Sequence, residues 1–382
     1  MTTNVKWIRL ALLLPVLALA GFGARAVEPP KIQRLKVPSP PWPAGDERGM
    51  GNTIGPATWL RCGWHMTQPG AKVYELSQIR SNTMPLSPFS APLVVTPNPT
   101  AGIPGSAHAF NTEHLNEGAD PGQQGTQFDA LGHFAVRDQP WDGKSPLGDA
   151  KITYYGGYTQ QEVKPTPNSP LLKLGIEKAP PIVTSAVLLD AKKFIGGGSP
   201  MQPGQLVTAK DIDGMLKAEG LGARGILAGD VVYVYTGWSD HWQDPDVDKI
   251  YYSEAPGLSY DAARYLGGKR IVAVGLDTPF IDPVPEGMLQ GKSGPAEGTP
   301  PNLPFAIHDY LIRQMGIHHI ENAKLDELAR DRVWTSCTIV LPPREKGAAG
   351  GVIRPVAYGV PGPGAPRTPK VRSTPSGAPA GK

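Results

Sequence analysis

Cysteine is scarce: Cys62 and Cys337 are the only two in 382 residues. Placed so far apart, they make no zinc-finger spacing. An oxidising compartment would let them pair, but their positions alone do not say whether they meet. No internal repeat is visible. Beyond residue 26 no apolar run is long enough to cross a bilayer, and there is no lipobox cysteine, so neither a span nor a lipid anchor is expected. An excess of basic charge is also missing. Residues 27–345 carry 28 Lys or Arg against 34 Asp or Glu, a net of −6. An acidic body has no electrostatic footprint for nucleic acid, so no nucleic-acid partner is expected.

Glycine and proline, in contrast, are abundant, at 46 and 43 residues. Together they are roughly twice the usual share. That many breakers exclude a helical bundle or coiled coil. A hydrophobic content of 40% and eight Trp argue against wholesale disorder. The length suits one large domain or two small ones.

Residues 1–26 read as a secretory signal. Lys6 and Arg9 precede the apolar run Leu10 to Phe22, and Ala24-Arg25-Ala26 is an A-x-A cleavage site. The expected location is therefore periplasmic or secreted, with no stable membrane insertion after cleavage. Residues 27–45 are a Pro-rich extended segment. Residues 346–382 are low in complexity, and the last 24, from Gly359, hold 11 Gly or Pro and no acid. A disordered, solvated basic tail over 359–382 is expected.

Between these ends the pattern is mixed α/β. Strands are predicted at 73–76, 93–96, 183–190, 230–236, 270–277 and 333–341, several apolar enough to be buried on both faces. Helices are predicted at 208–219, with Thr208 and Asp211 as a cap pair, at 259–266 and at 305–315. Six prolines make 283–304 a long loop, and such loops are often functional.

The densest polar cluster runs from Gln123 through Gly125-Thr126-Gln127-Phe128-Asp129 to His133. If Gln127 to Asp129 is a strand end, alternation sends Gln127 and Asp129 to one side. Gln123 returns there across Gly125, and His133 follows a turn at Gly132. Such donors can hold a divalent metal; a polar turn around a buried, hydrogen-bonded Asp is the plainer reading. A second cluster places His308 at the start of a helix and Glu321 at the end of the short strand after Gly316. That arrangement can bring the two together. His318 and His319 should point to opposite faces of the strand, each as a surface or hydrogen-bonded histidine. Trp238, His241, Trp242 and Phe280 follow strands. Of these, Trp238 and Phe280 are the candidates to stack on a flat substrate, with core packing as the alternative. Asp240 and His241 make a weaker candidate for a metal pair.

These stretches resemble the metal-dependent cyclase family that includes bacterial kynurenine formamidase and isatin hydrolase. The family motif is His-x-Gly-Thr-His-x-Asp-x-x-x-His. Here it reads Gln123-x-Gly125-Thr126-Gln127-x-Asp129-x-x-x-His133. Asp46-Glu47-Arg48-Gly49-Met50-Gly51-Asn52, Gly275-Leu276-Asp277-Thr278 and Ile320-Glu321-Asn322 are similar to segments of the longer members, the branch that reads Gly-Thr-Gln. The resemblance spans residues 46–358.

It implies a swivelling β/β/α cyclase-like domain, an α/β fold of mixed sheets with flanking helices, which is usually oligomeric. It implies metal ligation by Gln123, Gln127, Asp129, His308 and Glu321, with His133 as acid and base. The implied activity is an exported hydrolase opening a cyclic amide, lactone or related carbonyl substrate. Both motif histidines are Gln here. Gln offers a neutral, harder and weaker donor than imidazole. An oxygen-rich set with two carboxylates should hold one divalent ion, Mn²⁺ favoured and Zn²⁺ compatible. Two other readings stand beside this one: a non-catalytic ligand-binding relative with a degenerate metal site, and a metal-dependent lyase or dehydratase.

Overall fold

The computed structural model describes residues 42–116, 125–144 and 151–365. The leader, most of the Pro-rich segment, Gln123 and the chain beyond residue 365 lie outside the described residues.

A nine-stranded mixed sheet organises the chain. In chain order its strands are β1 (Lys72–Glu75), β2 (Gln127–Asp129), β3 (Ile182–Asp190), β4 (Val231–Tyr235), β5 (Ala273–Leu276), β6 (His318–Glu321), β7 (Thr335–Val340), β8 (Gly350–Val352) and β9 (Val356–Gly359). Across the sheet they run β1, β9, β7, β3, β4, β5, β6, β2, β8. The central strands β3 to β6 are parallel. Both flanks pair antiparallel. The centre is parallel because β3, β4 and β5 are apolar on both faces and need cover on each.

Helices supply that cover. α2 (Ala209–Ala218) buries Ile212, Met215 and Leu216, and starts on the expected reciprocal cap between Thr208 and Asp211. α3 (Tyr260–Lys269) starts at Ser259, whose side chain accepts the Ala262 N–H. α1 (Pro56–Met66) was not expected; it opens on Pro56, whose missing N–H costs nothing in a first turn. α1 packs across β3 and β7, and a disulfide joins its Cys62 to Cys337 of β7.

The expected strand at 93–96 forms as Val94–Pro97, in a separate ribbon with Glu113–Asn116. Two expectations need correction. The expected helix 305–315 is one α turn, Ala306–His308, continued by a π-helix, Asp309–Gln314. The low-complexity reading of 346–358 also fails, because β8 and β9 are sheet strands. Glycine there serves close approach: a Cβ on Gly351 would fall 2.6 Å from the Pro343 ring. Among the described residues no helix is long and apolar enough to cross a membrane.

Candidate metal centre

β2 and β6 build the site between them. Their antiparallel register sets Gln127 opposite Glu321 and Asp129 opposite His319. Side chains alternate along a strand and directly paired residues share a face. Gln127, Asp129, His319 and Glu321 therefore project from one face, while Phe128 and His318 take the other. The two motifs that carry the strands are tied together. Thr126 Oγ1 donates to the Asn322 carbonyl at 2.7 Å, and Asn322 Nδ2 donates to the Gly125 carbonyl at 2.8 Å. Gly125 sits at φ +111°, a left-handed conformation that favours glycine.

His308 enters from the turn above this face. Asp282 places it, accepting the N–H groups of Ile307 and His308 at 2.7 and 3.1 Å. The same carboxylate meets His308 Nδ1 at 2.6 Å. That contact turns Nε2 toward Asp129 Oδ2 at 3.6 Å and Glu321 Oε1 at 3.4 Å. Burial alone would push the His308 pKa down. The surrounding carboxylates of Asp129, Asp282 and Glu321 outweigh it and hold the pKa well above the ordinary value.

Asp129, His308, His319 and Glu321 each offer a donor atom, and all four atoms lie within 4.8 Å of one another. All four residues are buried. Both carboxylate oxygens of Asp129 and both ring nitrogens of His319 are shut from solvent without a hydrogen-bond partner. Buried polar atoms are nearly always paired, so an unpartnered carboxylate and an unpartnered imidazole side by side, each offering one atom to the cluster, fit a cation. The Asp282–His308 contact adds the outer carboxylate that commonly orients a metal-binding imidazole.

The sequence-predicted residues divide accordingly. Asp129, His308 and Glu321 converge as expected. Gln123 lies outside the described residues. Gln127 reaches the same face, but its Nε2 donates to Glu321 Oε2 at 2.9 Å. It thus turns an amide N–H inward, holding Glu321, rather than the expected carbonyl oxygen.

His133 borders a cavity of about 170 Å³ at the cluster, together with Phe89, Phe134, Phe280, Phe305 and His308. Its ring centroid is 5.8 Å from that of His308. Gly132, just before His133, packs closely on Leu174. Its N–H donates to the Leu174 carbonyl at 3.0 Å, and a Cβ there would come within 2.9 Å of that oxygen. Phe280 lines the cavity as expected, with its ring 5.8 Å from Phe305. Trp238 does not line it. Trp238 is buried in a cluster with Tyr251, and its indole N–H donates to the Tyr251 carbonyl at 3.0 Å, so it serves as core. Asp240 pairs with Lys192 at 2.6 Å, and His241 faces Asp248, so these two form no metal pair.

Two residues of the site were missed. His318 and His319 do take opposite faces, but neither is a surface residue. His318 packs on Phe128, with Nδ1 3.1 Å from the Asp129 carbonyl. His319 joins the cluster. Its signal was present, since it stands two residues before Glu321 on the same strand. Asp282 had no such signal; nothing in the spacing links a loop Asp to His308.

The fold has solved relatives. A crystal structure of a novel cyclase matches at 21% identity with a TM-score of 0.64, covering 82% of this chain and 94% of that one. Isatin hydrolase A from Ralstonia solanacearum matches at 18% identity and a TM-score of 0.50, covering 76% and 92%. Isatin hydrolase A from Labrenzia aggregata, bound to benzyl benzoate, matches at 18% and 0.50, covering 77% and 95%. These likenesses establish a shared fold. A search of curated proteins finds no match. The cyclase family model, described as "Putative cyclase", matches residues 74–283, more than half of the sequence, and the chain belongs to that family.

Proposed function

We propose that this protein is an exported metal-dependent hydrolase opening a cyclic amide, lactone or related carbonyl compound. The observation that carries the reading is the set of orphaned donors on Asp129 and His319, facing His308 Nε2 and Glu321. Shared fold with proteins named isatin hydrolase supports the reaction class. Asp129, His308, His319 and Glu321 would hold one divalent ion. A bound ion supplies Lewis acidity toward a carbonyl oxygen and lowers the pKa of water from 15.7 to about 7. A second imidazole, His319, beside the expected His308 weakens the reason for preferring Mn²⁺, so Mn²⁺ and Zn²⁺ stand level.

The chain's own residues do the rest. Asp282 fixes the His308 ring through Nδ1, and Gln127 fixes Glu321 through Oε2. The aromatic collar of Phe89, Phe134, Phe280 and Phe305 keeps bulk water from the reacting carbonyl. An imidazole nitrogen of His133 takes the proton of the attacking water and returns it to the leaving nitrogen or oxygen. General acid–base transfer of that kind contributes about 10²–10⁴ in rate. Export is consistent with the Cys62–Cys337 disulfide, since such bonds persist in oxidising compartments. A ligand-binding relative with a degenerate centre is the second reading, favoured by the inward amide N–H of Gln127.

Elemental analysis of protein purified without chelator tests the first reading. One Mn or Zn per chain is expected, lost in Asp129→Ala and retained in His133→Ala, while His133→Ala abolishes turnover on a lactone and cyclic-imide panel. Turnover in ¹⁸O water should place solvent oxygen in the product; a product without it would mean a lyase. Protein that neither carries nor binds metal would end the hydrolase reading.

A further inference from the structure

At its β1 flank the sheet has one face that the chain only half covers. Tyr74, Ala357, Thr338 and Thr184 pair in register across β1, β9, β7 and β3, and all four are buried. Their neighbours Val73, Tyr358, Cys337 and Ser185 pair likewise and point to the opposite face. α1 covers Ser185 and Cys337 there, through Arg61 and the disulfide. It leaves Tyr358 half-buried and Val73 59% exposed.

α1 itself is turned inside out. Its inward residues are Thr58, Arg61, Cys62 and His65, while Trp59, Leu60 and Met66 are 52%, 60% and 43% exposed. A surface helix ordinarily turns its apolar stripe to the core. Here the disulfide to Cys337 and the Arg61 contact with Ser185 hold the reverse orientation. Arg61 reaches toward β3 and Cys62 toward β7. At about 100° per residue, Met66 and Trp59 come next around the helix beyond Cys62. They therefore lie on the flank toward β9 and β1, beside Tyr358 and Val73.

The charge pattern says what such a face suits. α1 contains no Asp, Glu or Lys, and its Arg61 and His65 are turned inward. At the rim stand one base and one acid, Arg354 and Glu75, paired at 2.8 Å. The exposed halves of Trp59, Leu60, Met66 and Val73 leave on the order of 400 Å² of apolar surface in water, the scale at which a patch marks an interaction site. A standard interface takes about 800 Å² from each partner, a little over half of it apolar. The patch therefore matches one side of a dimer. Two copies meet there without repulsion, and a rim of one acid and one base is self-complementary about a two-fold axis. We infer that the face formed by α1, β9 and β1 docks a second copy of this chain in an isologous interface. It stands at the other end of the sheet from β2 and β6, so it is independent of the metal centre.

Sedimentation velocity over a series of micromolar concentrations tests this on the oxidised, metal-loaded chain from residue 27. A reversible dimer is expected. Trp59→Glu and Val73→Glu should each raise its dissociation constant at least tenfold. Val247→Glu adds the same charge at an exposed apolar position outside the face and should leave the constant unchanged. Hydrogen exchange of the unmodified chain gives a second reading that needs no variant to fold: residues 56–75 should exchange more slowly as concentration rises. A monomer at every concentration, or a dimer that Trp59→Glu and Val73→Glu both retain, would overturn the inference. So would a monomer in which removal of residues 27–41 speeds exchange at 56–75, because the chain's own segment would then be the occupant. A monomer that sediments with phosphatidylcholine vesicles would assign the face to lipid instead.

Discussion

Replacing His319 with Leu should move stability in opposite directions in the metal-free and metal-loaded protein. His319 is fully buried, and neither ring nitrogen has a hydrogen-bond partner. Burial first, then repulsion from His308 and His133, drives its pKa well below the ordinary value, so the ring is neutral at pH 7. An unsatisfied buried polar group costs about 1–3 kcal/mol. Leu carries no such group, and after some loss to shape mismatch the metal-free variant should gain about 1 kcal/mol. With ion at 100 times its Kd, the loaded wild type gains about 2.7 kcal/mol from binding. If losing one ligand weakens affinity about 100-fold, the variant gains only about 0.4 kcal/mol from the same ion. The loaded variant then sits about 1 kcal/mol below the loaded wild type. Each kcal/mol is about 2–4 °C in Tm for chains of 150–250 residues, and somewhat less here. Thermal unfolding in chelator and in a fixed free Mn²⁺ concentration measures both signs. A metal-induced Tm shift that His319→Leu leaves unchanged would refute ligation by His319. Equal destabilisation in both conditions would refute the orphan argument.

Three further outcomes are expected. Glu219 is mostly buried; its Oε1 accepts the Asp190 N–H at 2.8 Å and its Oε2 has no partner. Burial raises its pKa to about 8, from an ordinary 4.5. Its contribution to stability is therefore full below about pH 4.5 and is lost as pH rises through about 8. Glu219→Gln should gain about 1 kcal/mol at pH 9, after discounting for partial exposure, and nothing at pH 4, as read by urea unfolding. Reduction, or Cys62→Ser, opens a link across 275 residues and should cost about 2–5 kcal/mol in a denaturant titration. Metal affinity should rise about tenfold per pH unit from pH 6 to 8, because His308 holds its proton well above the ordinary histidine value and must release it to ligate. A flat profile by Mn²⁺ titration would contradict that protonation.

Much of the sheet is legible in the sequence because burial on both faces leaves continuous apolar runs, as in β3, β4 and β5. α1 is not, because its buried face includes Thr58, Arg61, Cys62 and His65 rather than an apolar stripe. Its partners explain that composition. Arg61 Nε donates to Ser185 Oγ at 2.9 Å and Nη2 lies 3.6 Å from the buried Asp230 carboxylate, so a polar network takes the place of hydrophobic periodicity. β8 is hidden for another reason: Gly350 and Gly351 carry no pattern, and the strand forms by pairing its backbone with β2. At the site, Asp129 and Glu321 are readable as members of motifs. Asp282 is not, because its link to His308 crosses 26 residues of loop and turn and leaves no period.

Gln127 looks like a lost ligand only while imidazole is tied to particular positions. The register of β2 and β6 makes four positions equivalent in facing: 127, 129, 319 and 321 all project toward His308. A metal senses which donor atoms reach it and not the strand that sends them. Gln127 removes an imidazole from β2 and then, through its amide N–H, fixes the Glu321 carboxylate. His319 puts an imidazole back on the same face from β6, directly opposite Asp129. Charge is conserved by this exchange, since histidine as a ligand and glutamine are both neutral, so the balance set by Asp129 and Glu321 stands. A motif written along one strand registers only the loss. On the metal-dependent reading proposed above, the face shared by the two strands registers the exchange, and the exchange accounts for an imidazole at 319 with neither nitrogen bonded.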